Sequence, residues 1–160
     1  MIRRTDFIAP AIATLLALCA LGIAASGPVW AADTTETTAS DIDPGYAPTK
    51  ALVDAGKYDD ALTALKKLDA QSPNNPDVLN LIGFSLRKTG HMDAALDYYN
   101  RALALKPDHL GANEYLGELY LELKQPAKAK ERLEMLRRAC TDCEEFHELQ
   151  TKINQMAQAR

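Results

Sequence analysis

At 160 residues, 47% of them hydrophobic, the chain is long enough for one domain with its own core. Its 18 basic and 22 acidic residues give a formal net charge of −4 and are scattered rather than gathered into a basic stripe that could track phosphates, which excludes nucleic acid as an expected partner. Six Tyr, three Phe and a single Trp suit the packing of small helices.

Met1 to Ala31 reads as a secretory signal peptide. Arg3 and Arg4 form the positive end, Ile8 to Ala25 the apolar stretch, and Val29 and Ala31 the small-residue pattern for cleavage after Ala31. An uncleaved anchor is the competing reading, because an apolar stretch of this length is close to what spans a bilayer; the Pro28 break and the cleavage pattern favour removal. Cys19 sits inside the apolar stretch after Leu18, which does not suit lipid attachment, and Phe7 comes one position late for a twin-arginine signal. The expected location is a bacterial periplasm or the outside of the cell, with no membrane partner once the signal is cut. Residues 32–45, ADTTETTASDIDPG, have almost no large apolar side chains with which to offset their ordering entropy, and read as a flexible leader.

Structure is expected to begin between Tyr46 and Lys50, Pro48 being tolerable only in a first helical turn. From there the chain repeats itself every 34 residues: Leu52, Leu86 and Tyr120; Gly56 and Gly90; Ala61, Ala95 and Ala129; Leu65, Tyr99 and Leu133; Leu68, Ala102 and Leu136; Pro73 and Pro107. A fixed period of this size is the signature of a solenoid. In the middle copy Leu79, Ile82, Gly83 and Leu86 form one helical stripe, with Gly83 leaving room for a close neighbour, and Ala95, Tyr99, Ala102 and Leu103 form a second. Gly90 between them permits the positive φ of a helix C-terminus, and Pro107 stops the second helix near Lys106. The third copy carries Asn113 where the large apolar residue belongs and Thr141 where the Pro does, and its second helix runs from Pro126 to about Ala139. In the first copy Thr49 replaces the packing Gly, so its leading helix should be short or start late.

After the third copy, Phe146, Leu149, Ile153 and Met156 mark an amphipathic closing helix over about 143–158. Thr141 or Asp142 is expected to cap it, with Glu144 or Glu145 closing a capping box.

Leu79, Ile82, Gly83, Leu86, Ala95, Tyr99, Ala102 and Pro107, with Leu116, Gly117, Tyr120, Ala129, Leu133 and Leu136 after them, resemble the tetratricopeptide repeat. The resemblance implies an all-α helix-turn-helix solenoid of three repeats, about 42–75, 76–109 and 110–143, ended by a C-terminal capping helix. It also implies that the leading helices line a concave groove. By helical spacing the faces left over from the core carry Asp77, Asn80, Phe84, Arg87 and Lys88 in the second copy, and Gly111, Glu114, Glu118, Leu121 and Glu122 in the third. Phe84 and Leu121 would leave apolar surface bare there unless covered, which points to a protein or peptide partner. Gly111 and Tyr115 stand where a carboxylate clamp for chaperone tails would need cations.

Two alternatives attach to Cys140-x-x-Cys143 and the nearby His147. In an oxidising compartment the cysteines are within reach of one disulfide, Cys19 having left with the signal; a metal-handling or thiol-redox accessory protein using Cys140, Cys143 and His147 is the other reading. Two thiols fall short of the four ligands a structural zinc takes, and Glu144 stands where haem attachment needs a histidine. The segment also resembles the end of small secreted bacterial tetratricopeptide proteins. His91 and His109 read as exposed turn residues. With no positioned nucleophile and base, paired carboxylates or phosphate loop, no enzyme activity, metal or cofactor is expected.

Overall fold

The computed structural model describes residues 44–158. The stretches expected to be a signal peptide and most of a leader lie outside the described residues. Seven helices follow in order: α1 (Tyr46–Asp54), α2 (Tyr58–Gln71), α3 (Pro76–Lys88), α4 (Met92–Leu105), α5 (Leu110–Glu122), α6 (Pro126–Ala139) and α7 (Glu144–Gln158). The nine-residue α1 starts at Tyr46, short as expected for a copy without its packing Gly.

The helix ends follow from local chemistry. Asn75 accepts from the Asp77 and Val78 amides at 2.9 and 3.3 Å and Pro76 follows it, giving α3 a capped start with a preset φ. The leading helices of all three repeats end alike. Gly56, Gly90 and Lys124 take positive φ, and the next amide reaches back five residues: Lys57 to Leu52, His91 to Leu86, Gln125 to Tyr120. Lys124 holds a left-handed conformation that glycine adopts more easily. The closing helix starts at Glu144, too late for Thr141 or Asp142 to be its cap; the Asp142 carboxylate instead accepts from the His147 ring.

Ala61, Ala95 and Ala129, where paired helices cross, are fully buried. Leu65 and Tyr99 fill the space beside the first two crossings, and a Cβ on Gly83 would come within 2.8 Å of the Tyr99 ring, so the glycine is required by that ring. At the third crossing Leu133 is only half-buried, and the neighbour that approaches Gly117 is Leu149 of α7, 2.5 Å from where its Cβ would stand.

Each helix packs on the next, and the leading helices α1, α3, α5 and α7 also touch one another in sequence, whereas among the described residues α2, α4 and α6 do not. The chain therefore curves with the leading helices on its inner side, and α7 takes the place of a fourth leading helix. None of the described helices is long and apolar enough to cross a membrane.

Candidate functional site

The inner face is built in rows. Residues 34 apart stand on neighbouring leading helices: Lys50, Phe84, Glu118 and Lys152 share one position, and Tyr46, Asn80, Glu114 and Glu148 another. At the first end Lys50, Val53, Tyr58, Phe84, Lys88 and Tyr115 line a cleft of about 240 Å³. Phe84 is half-buried there, its ring 4.7 Å from Tyr115 and 6.1 Å edge-on to Tyr58, with Lys88 and Arg87 5.2 and 5.4 Å from its centre. A larger cleft of about 600 Å³ lies beyond, between Arg87, Lys88, Glu118, Leu121, Glu122, Lys152 and Met156.

Charge is concentrated in the second half. Buried Arg87 donates from both terminal nitrogens, to Glu118 at 2.6 Å and Glu122 at 2.6 Å, and Lys152 reaches Glu118 from the other side. Burial alone would lower the Arg87 guanidinium, but Tyr99, Glu118 and Glu122 outweigh it and keep it firmly charged. Glu114, Glu118 and Glu148 bring carboxylate oxygens within 4.8 Å of one another. Burial first, then the Glu118 charge and the hydrogen bond and charge of Glu148, push the Glu114 carboxyl up to about 9, against the opposing pull of Lys152. Four carboxyls thus face two cations, and the upward push on Glu114 favours its protonated form at neutral pH.

The expected groove residues sit on this face, but several are not free as expected. Leu121 is buried with Leu149 and Ile153, because α7 covers the surface that the third repeat alone would have left bare. Arg87, Glu114 and Glu118 are buried too, tied into the network between α3, α5 and α7. Phe84 is part of the packing rather than a separate face. Asp77 lies exposed at the edge, and Asn80 is buried against Gly111.

His109 departs furthest from its expectation as an exposed turn residue. It is buried, its Nδ1 accepts from the Ala112 amide to cap α5, and its Nε2–H therefore faces the Asp77 carboxylate at 3.0 Å. That hydrogen bond, partly opposed by burial and aided by the His109 charge when protonated, holds the Asp77 carboxyl below its usual range. Asn113 is satisfied as well. Its amide donates to the Pro107 and His109 carbonyls and its oxygen accepts from Arg132, so a polar residue at an apolar position ties the inter-repeat turn to α5 and α6.

Two family models described as Tetratricopeptide repeat match residues 50–109 and 86–153, together most of the described chain. The chain belongs to the tetratricopeptide-repeat family. The second match runs into α7, in keeping with the place of α7 as a leading helix of the repeat series.

Among solved tetratricopeptide structures, the Yersinia enterocolitica type III secretion translocator chaperone SycD (alternative dimer) superposes with a TM-score of 0.63 at 20% identity, over 78% of this chain and 94% of that one. The first TPR of Spaghetti (RPAP3), bound to an HSP90 peptide, gives 0.63 at 20% identity over 72% and 89%. At such identities the likeness is one of fold. The human General transcription factor 3C polypeptide 3 is 36% identical over 86 residues, 53% of this chain; the chain spans about a tenth of the length of that curated relative, 10%.

At the α6–α7 junction the Cys140 and Cys143 side chains meet, with Cα atoms 5.7 Å apart, inside the roughly 4.4–6.8 Å that a disulfide accepts. His147 is turned to Asp142. Among the described residues the side chains grouped closely enough to hold a cation are Glu114, Glu118 and Glu148 rather than Cys140, Cys143 and His147.

Proposed function

We propose that this tetratricopeptide-repeat chain is a non-catalytic scaffold that works in the periplasm or outside the cell and holds a peptide or helix of another protein against its inner face. The carrying observation is the division of that face: an aromatic cleft at Phe84 and Tyr115 with Lys88 over the ring, continuous with a charged cleft lined by Arg87, Lys88, Glu118, Glu122 and Lys152. A ligand segment with an apolar or aromatic anchor, followed by a basic residue that reaches Glu122, whose side chain keeps 42% of its surface in water, complements both halves. The SycD structure with a peptide of the translocator YopD, and the RPAP3 structure with its HSP90 peptide, support peptide capture as a use of this fold.

The export signal and a Cys140–Cys143 bridge belong to the same proposal. Such a bridge would join α6 to α7 at the position 5.7 Å of Cα separation already provides. Mass measurement of protein recovered from the periplasm should give a chain starting at Ala32 and lighter by two hydrogens than the reduced form; a full-length mass or two alkylated thiols would count against it.

The groove is tested with a displayed random peptide library panned on the mature chain. Because Phe84 is half-buried, Phe84→Leu is the better probe than Phe84→Ala, keeping apolar volume while removing the ring. Selected peptides should share an anchor and a basic residue and lose at least tenfold in affinity for Phe84→Leu, about the 1.4 kcal/mol that a factor of ten represents. Peptides that bind Phe84→Leu and Lys88→Glu as well as wild type would place recognition elsewhere.

A further inference from the structure

The groove's last wall is α7, and α7 is joined to α5 partly through acids. Glu114 and Glu148 occupy equivalent positions on the two helices, with Glu118 one turn along α5, and their carboxylates lie within 4.8 Å of one another. Glu114 and Glu118 are buried, while the Glu148 side chain keeps 47% of its surface in water. The surrounding groups come from every neighbouring helix. From α7 Lys152 contacts Glu118 and Glu148; from α3 Arg87 is committed to Glu118 and Glu122; from α4 the Tyr99 hydroxyl lies beside Arg87; from α5 itself Tyr115 is adjacent; and Arg132 of α6 is turned to Asn113 instead. Lys152 is the cation that bridges the two helices here. With all three carboxyls ionised around it, two negative charges would be left unbalanced, with Glu114 and Glu118 held in a buried place.

We propose that a proton held between Glu114 and Glu148 clamps α7 onto α5, so that the closing helix is a pH-sensitive element that sits firmly in mild acid and opens more readily as the solution becomes alkaline. Without the proton, Glu114 would have to be charged while buried next to Glu118 and Glu148. With it, Glu114 donates a hydrogen bond across the helix interface to the Glu148 carboxylate. The sign follows from the direction of the shift. Burial and the two neighbouring acids raise Glu114 from an ordinary 4.5 to about 9. The docked state therefore holds a proton that the open state gives up, and its advantage is complete below about 4.5 and is lost as the pH rises through about 9. For the groove this is regulation of the site proposed above, and only that consequence rests on the binding proposal: α7 supplies Lys152, Gln155 and Met156 to the larger cleft.

The test is made on the mature chain without any partner, so its outcome is independent of whether the groove binds peptides. Amide exchange, corrected for the intrinsic pH dependence of the chemistry, is followed in α7 and in α3 between pH 6 and pH 9. One linked proton changes the opening equilibrium by at most about tenfold per pH unit. In wild type the opening of α7 should increase at least several-fold across the range while α3 changes less. In Glu114→Gln, where the amide donates to Glu148 at every pH, the increase should disappear. A wild-type profile that is flat, or a Glu114→Gln profile that rises in parallel with it, overturns the proposal. If Glu114→Gln does not fold, Glu148→Gln serves: with one opposing charge removed, the rise should be complete at lower pH, and an unmoved profile overturns the proposal equally.

Discussion

The second and third repeats use one 34-residue pattern and complete it differently. In the second, α3 and α4 fill their own crossing, where Ile82 and Tyr99 are fully buried and Gly83 admits the Tyr99 ring, while Leu79 packs on Ala102 and on Ala112 of α5. In the third, α6 buries only Ala129 and Leu136, Leu133 is half-exposed, and Asn113 replaces the leucine. What is missing comes from outside the repeat, as Leu149 and Ile153 of α7 and as hydrogen bonds to Asn113. Both repeats share a core with their neighbours, but only the third needs a neighbour to fill its own crossing. Loosening α7 is therefore expected to loosen α5 and α6 with it.

The comparison breaks if equivalent truncations have equal effects. Tyr99→Ala empties the sealed crossing of the second repeat and should cost about 3–5 kcal/mol, against about 1 kcal/mol for Leu133→Ala at the same position of the third. Urea denaturation of both measures the difference, and similar losses would mean that the two crossings are filled alike. Next, Leu149→Ala should cost about 2–4 kcal/mol, because a fully buried leucine from α7 completes the third repeat. The sharper sign is regional: amide protection should fall in α5 and α6 along with α7 and hold in α3.

Smaller again is Asn113→Ala, at about 1–3 kcal/mol, since the two turn carbonyls and Arg132 lose their partner in a buried place. Its counterpart Leu79→Ala loses packing rather than hydrogen bonds, so only the Asn113 variant should loosen the turn around Pro107, seen as new proteolytic cleavage there. The smallest effect is a gain. Lys124→Gly should stabilise by about 0.5–1 kcal/mol by relieving a left-handed lysine at a position where both other repeats carry glycine. A loss in thermal melting would show that the lysine side chain contributes more than its backbone costs.

The sequence made the helices legible because their signals are local. Periodic leucines, Gly90, Pro107 and Pro126 each act within a few residues, and the boundaries fell within about two residues of expectation. The state of the groove was not local. Leu121 is bare on α5 alone and is covered only by α7 beside it, and Arg87, expected along the groove opposite these acids, is instead buried by its bonds to Glu118 and Glu122, 31 and 35 residues away. One sequence signal for this existed: continuing the same period past the third repeat pairs Glu114 with Glu148 and Leu119 with Ile153, which would have placed α7 among the leading helices. Burial of His109 had no such signal, since its Nδ1 caps α5 locally but its Nε2 is held by Asp77, 32 residues back in the preceding repeat.

The rows across the inner face set a ruler for whatever lies along it. Packed helices stand about 8–10 Å apart, and an extended chain advances about 3.3 Å per residue. A peptide laid across the rows therefore passes from one leading helix to the next every third residue. Along the row of Lys50, Phe84, Glu118 and Lys152 it would meet a cation, a half-buried ring, a buried carboxylate already paired with Arg87 and Lys152, and then that lysine. Under the proposed function, a ligand's side chains would be read at a spacing of three, with the residues between them left to solvent, and a one-residue slip would misplace every contact at once.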